Sequence, residues 1–85
     1  MIHFTKHARE KFTILKQHGC LIPRTAVIQT VIDPDLIDHS RHPLKIAQRG
    51  FDKTRVLRVV YKEFGSDIKI ITFYPGRSKK YGKTI

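Results

Sequence analysis

Acidic residues are scarce in this chain, and so are sulfur and indole: 85 residues hold seven Asp and Glu, one cysteine, one methionine and no tryptophan. Each shortage excludes something. The lone cysteine, Cys20, has no partner for an internal disulfide, and such usage points to a reducing, cytoplasmic setting. No run of about 18 apolar residues is present to span a bilayer. The first residues also lack the charged-then-apolar order of a signal peptide, so no membrane association is expected. The closest histidines in the chain, His39 and His42, lie in a loop without a nearby cysteine, and that spacing matches no zinc pattern. No glycine-rich nucleotide loop occurs either. Neither a metal nor a cofactor is expected.

What the chain has instead is positive charge. Seventeen Lys and Arg give a formal net charge of +10. Residues 1–38 hold five basic and four acidic residues, whereas residues 39–85 hold twelve and three. A surface this positive gathers polyanions and speeds their capture. The stretch ITFYPGRSKKYGKTI, residues 71–85, concentrates the effect: Arg77, Lys79, Lys80 and Lys83 follow one another without an acid, and Tyr81 stands among them. Two readings fit, a free basic tail or one wall of a groove that holds RNA. Tyr81 favours the wall, because an aromatic ring adds little to a purely electrostatic tail.

The chain is long enough for one domain with a single core, so residues 1–85 are taken as one unit with a basic C-terminal segment, 75–85. Thr5 suits the N-cap of a first helix, in which Ala8, Phe12 and Leu15 form one apolar stripe and after which Gly19 suits a left-handed end. Pro23 fits the first turn of a second helix with Val27, Ile28 and Val31 facing inward, and Asp33-Pro34 stops it. From Leu36 the pattern becomes that of strands, at residues 36–38, 44–49, 54–63 and 67–74, the last two joined by a turn at 64–67. Pro75-Gly76 reads as the end of the last strand. Short connections imply antiparallel pairing. The expected fold is α+β, with two N-terminal helices packed on one face of a three- to four-stranded antiparallel sheet. Alternation in residues 54–63 sets Arg58 with Val56 and Val60, and Arg55 with Leu57, Val59 and Tyr61. A mid-strand charge is costly to bury, so Arg58 is expected on the solvent side or in a groove.

Cleaving RNA without a metal takes a group to accept the 2′-hydroxyl proton, a group to protonate the leaving 5′-oxygen, and fixed cations for the transition-state charge. Histidine suits proton transfer, and the arginine fork suits phosphate. The chain supplies His7 near its start and a set of cations in Arg9, Arg49, Arg55, Arg58, Arg77, Lys79 and Lys80, with Tyr81 beside the last two. The same set equally suits a non-catalytic RNA- or DNA-binding module, or a protein whose partner is simply acidic.

The stretches FTKHAREKF, VIDP, RVLRVVYKE and IKIITFYPGRSKKY, in this order, resemble a family of small toxin-like domains related to the BrnT and RelE ribonuclease toxins. The matching positions are His7-Ala8-Arg9, Ile22-Pro23, Asp33-Pro34, 57–61 and 70–81. The likeness covers residues 4–81. The join at Gly19-Cys20-Leu21-Ile22 is longer than the family's usual turn. The resemblance implies a RelE/BrnT-like fold and a toxin of a type II toxin–antitoxin pair: an endoribonuclease that acts on RNA, including ribosome-bound messenger RNA, and is silenced by a cognate antitoxin. It further implies His7 as acid or base, Arg9, Arg58 and Arg77 as phosphate clamps, and Tyr81 as proton donor or stacking platform. Arg49, Arg55, Lys79 and Lys80 would add RNA contacts.

Overall fold

In the computed structural model, which describes residues 1–81, Ile2–Phe4 forms a first strand, β1, and Thr5 turns it into a helix, α1 (Lys6–Gln17). The Thr5 backbone N–H still donates to Ile70 as a strand residue would, at 3.0 Å. Its hydroxyl accepts from the Ala8 N–H at 3.1 Å, satisfying one free donor of the first helical turn. At the far end Gly19 takes φ 79°. Cys20 N–H then reaches back to Leu15 and Gly19 N–H to Lys16, the two bonds of a Schellman terminus, which needs a left-handed residue. The second helix, α2 (Arg24–Ile32), begins just after Pro23, which stays extended. Val27 and Val31 are buried, and Thr30 joins them by donating its hydroxyl to the Ala26 carbonyl at 2.7 Å.

The remaining strands are β2 (Leu36–Asp38), β3 (Lys45–Gly50), β4 (Arg55–Phe64) and β5 (Asp67–Arg77), and the sheet order is β1-β5-β4-β3-β2. From β2 to β5 neighbours are antiparallel, but β1 lies parallel to β5, from Ile2 opposite Ile68 to Phe4 opposite Ile70. The expected antiparallel sheet of three to four strands is therefore a mixed sheet of five. β1 is short and its partner, β5, lies near the other end of the chain, so no neighbouring strand or turn announces it. Pro75-Gly76 does not stop β5 either: Pro75 pairs with Leu57, Gly76 with Val56, and the ladder continues to Arg77. β1 covers β5 only as far as Ile70, so beyond it β5 is an edge strand, where a missing N–H is tolerated. A single helical turn, α3 (Ser78–Tyr81), follows.

The core lies between α1, α2 and one face of the sheet, around Val27, Leu57, Val59, Ile70 and Phe73. Phe12 packs on Phe73 with ring centroids 4.6 Å apart. Ile70 and Phe73 are both fully buried although three residues apart. The register explains it: Tyr61 faces Ile70 and Val60 faces Thr72, so Ile71 is an extra residue in β5, and such a bulge re-aims the side chains beyond it. Among the described residues no helix is long and apolar enough to cross a membrane.

Candidate functional site

Helices α1 and α2 leave the second face of the sheet uncovered, and the registers place Asp38, Gln48, Arg58, Thr72, Tyr74 and Gly76 on it. Arg58 occupies its centre. It lies on the face expected from alternation but is not solvated, with 6% of its surface exposed. Its Nη2 donates to Asp38 Oδ2 at 2.8 Å, its Nε to the Tyr74 hydroxyl at 3.1 Å, and its Nη1 to Gln48 Oε1. The turn α3 closes the cluster from above. The Tyr81 ring lies 4.3 Å from the guanidinium carbon, and Gln48 Nε2 donates to the Tyr81 carbonyl at 3.3 Å. This seat exists because residue 76 is glycine: a Cβ there would collide with the Tyr81 ring.

The charges in this cluster are mutually fixed. Backbone and hydroxyl hydrogen bonds from Ser40, and then the Arg58 guanidinium, hold the Asp38 carboxyl down at about 2. Burial works against the charge on Arg58, but its bonds to Tyr74 and Asp38 outweigh that and raise its pKa. All three guanidinium nitrogens of Arg58 thus have protein acceptors and the Tyr81 ring covers the group, so its fork is not free to grip a phosphate. What it does is position Tyr74: a hydroxyl that accepts from Arg58 has its own proton left to donate elsewhere.

Beside this cluster the face opens into a cleft of about 320 Å³, floored by Ile46, Val60 and Ile71 and edged by Arg41, Thr72 and Tyr74. His7, at the start of α1, brings Nε2 to 3.2 Å from Thr72 Oγ1. The helix start is held there because Thr5 donates its hydroxyl to the carbonyl of the bulged Ile71 at 3.0 Å. A second cleft, of about 480 Å³, lies beyond the strand ends on the helix side, lined by Thr54, Arg55, Arg77 and Lys79. Lys80 extends over the outside of the Tyr81 ring, 5.5 Å from its centroid.

The sequence-derived candidates therefore divide among places. Arg58 and Tyr81 meet in the central cluster, whereas His7 stands at the edge of the first cleft. Arg77 joins Arg55 and Lys79 in the second, five residues or roughly 17 Å along β5 from Thr72. Arg9 donates to the Phe4 carbonyl at 3.1 Å, and Arg49 binds both the carbonyl and the carboxylate of Asp33; both hold elements together. Residues 82–85, with Lys83, lie outside the described residues. Asp38, Gln48, Tyr74 and Arg41 were not singled out from sequence. A polar Gln48 alternating with Leu44 and Ile46 was the one available signal. Among the described residues, no three His, Cys, Asp or Glu side chains gather as a metal site would need. No family model, curated protein or solved structure matches the chain.

Proposed function

We propose that the chain is a toxin-like module of the RelE and BrnT kind that holds single-stranded RNA on the uncovered face of its sheet. The observation that carries this reading is the placement of Tyr74, which lines the apolar cleft while its hydroxyl is held by Arg58. Single-stranded RNA is bound by aromatic platforms for its bases and nearby cations for its phosphates. Arg41 at the cleft edge and Lys80 over Tyr81 supply cations, and the net charge of +10 supplies attraction. The RNA affinity of the full chain, measured against salt concentration, tests this. The log–log slope should be about −0.7 per phosphate contact. Arg41→Ala should flatten it by about one contact. Tyr74→Ala should weaken binding by roughly 1–3 kcal/mol per stacked base with the slope kept. A salt-independent affinity would point to an acidic protein partner instead.

Cleavage is the second reading, and the contact of His7 with Thr72 favours it, because it sets an imidazole at the edge of the same cleft. In this reading His7 takes the proton of the 2′-hydroxyl, whose oxygen attacks the adjacent phosphorus. The bond to the 5′-oxygen breaks, the Tyr74 hydroxyl protonates that oxygen, and a 2′,3′-cyclic phosphate remains. His7→Gln and Tyr74→Phe should each abolish cleavage while RNA binding persists, and EDTA should have no effect. Activity lost in EDTA and restored by magnesium would sink this mechanism. Growth arrest on induced expression, mapped by messenger RNA ends and relieved by a cognate antitoxin, is the expected outcome in cells.

A further inference from the structure

Arg55 and Arg77 stand directly opposite one another across β4 and β5, and like charges facing each other on a ladder destabilise a sheet. One of the two is locked in place. Asp52 Oδ2 accepts from Arg55 Nε at 2.8 Å and lies 2.7 Å from its Nη2. Asp52 Oδ1 accepts the backbone N–H groups of Thr54 and Arg55 at 3.0 and 2.8 Å. The Arg55 guanidinium also rests 5.2 Å from the Phe51 ring centroid and donates to Cys20 Sγ. Arg77 and Lys79 are exposed, and neither takes part in an ion pair among the described residues. Three cations therefore line one cleft with a single carboxylate beside them, an excess of two positive charges.

We propose that this cleft binds a phosphate monoester dianion, the chemistry of an RNA 5′-end or of a free mononucleotide. A phosphate monoester carries about −1.5 to −2 charges near pH 7, which matches the excess; an internal phosphodiester, with one charge, leaves it half compensated. The fork of Arg77 offers two parallel donors to phosphate oxygens, and Lys79 adds a point charge. Arg55, already immobile, loses no further freedom when the anion arrives, which lowers the cost of binding. The anion also relieves the repulsion across the ladder, so its binding stabilises the folded chain. The site lies on the opposite side of the sheet from the Tyr74 cleft. Only its RNA 5′-end source rests on the reading of that cleft.

The test uses the full chain and one oligoribonucleotide made with either a 5′-phosphate or a 5′-hydroxyl, compared by fluorescence anisotropy at fixed ionic strength. Thermal melts with inorganic phosphate against chloride of equal ionic strength form the second arm. The 5′-phosphate form should bind roughly tenfold or more tightly, and phosphate should raise Tm. Both effects should vanish in Arg77→Ala and persist in part in Arg77→Lys. Equal affinities together with a phosphate-dependent rise in Tm that Arg77→Ala abolishes would assign the cleft to free monoesters. Equal affinities with no Tm response, or responses that Arg77→Ala leaves intact, overturn the proposal. The 5′-hydroxyl oligonucleotide reports on the sheet face alone, so its failure to bind removes the RNA reading and leaves the phosphate arm standing.

Discussion

Arg58 has no way to lose its charge and almost no water to share it with, so the groups around it decide whether the open face holds together. Asp38→Ala would leave a guanidinium whose side chain is 7% exposed without its carboxylate. Removing one partner of such a pair costs about 3 kcal/mol. Arg58→Met keeps the apolar stem under Tyr81 and gives up the charge. Asp38, 30% exposed, then remains in contact with water and bonded to Ser40 N–H. That change should cost less, about 1–2 kcal/mol for the hydrogen bonds lost by Gln48 and Tyr74. Urea denaturation checks the ranking; the reverse order would mean that packing outweighs charge here. The pH dependence follows the same cluster. Hydrogen bonds from Ser40 and Arg58 lower the Asp38 pKa on folding from 3.8 to about 2. Its contribution to stability is therefore complete above 3.8 and lost as pH falls toward 2. Asp38→Asn should flatten the acid limb of a stability–pH curve within that window.

At the scale of elements, α3 is one turn long, too short to hold its own shape, and its position depends on where Tyr81 lands. Gly76 provides the seat, so Gly76→Ala should unseat Tyr81 and open Arg58 to solvent while the five-stranded sheet persists. The expected reading is a changed near-ultraviolet tyrosine signal with an unchanged far-ultraviolet spectrum; identical spectra in both regions would show that the ring adjusts without leaving. Much of the element pattern was legible beforehand. Thr5, Gly19 and Asp33-Pro34 mark helix ends through local hydrogen bonding and φ preferences, and those operate within a few residues. The bulge at Ile71 was not legible, since the extra residue is defined only by its partner strand.

For the whole molecule, the joining of its two ends matters most. Phe4 in β1 packs near Phe12 of α1, with centroids 5.9 Å apart, and carries the Arg24 guanidinium of α2 at 4.3 Å. It faces Ile70 of β5 as well. One ring thus ties both major helices to the edge of the sheet. Phe4→Ala should cost about 3–5 kcal/mol, and hydrogen exchange should accelerate in β1 and α1 before the β3–β4 ladder. Uniform loss of protection would show instead that the chain unfolds only as one unit.

Taken alone, the sequence determined the class of fold, the helix ends, the four later strands, the face on which Arg58 lies, and the excess of positive charge. These follow from period, local propensity and composition, which act over short stretches of chain. Only the tertiary structure decided which charges are free. Arg9, Arg49, Arg55 and Arg58 look alike in sequence, yet each is committed to acceptors: Arg9 and Arg55 to Phe4 and Asp52 within a few residues, Arg49 and Arg58 to Asp33 and the Asp38–Gln48–Tyr74 set from distant segments. Arg41 and Arg77 have no such ion pair among the described residues. The bulge at Ile71 likewise decided that Thr72 and Tyr74, and not Phe73, face the open cleft. The pairings of Arg49 and Arg58 join residues 10 to 20 apart in the chain. The availability of these two depends on the acceptors that folding brings to them, and no short stretch of sequence contains those.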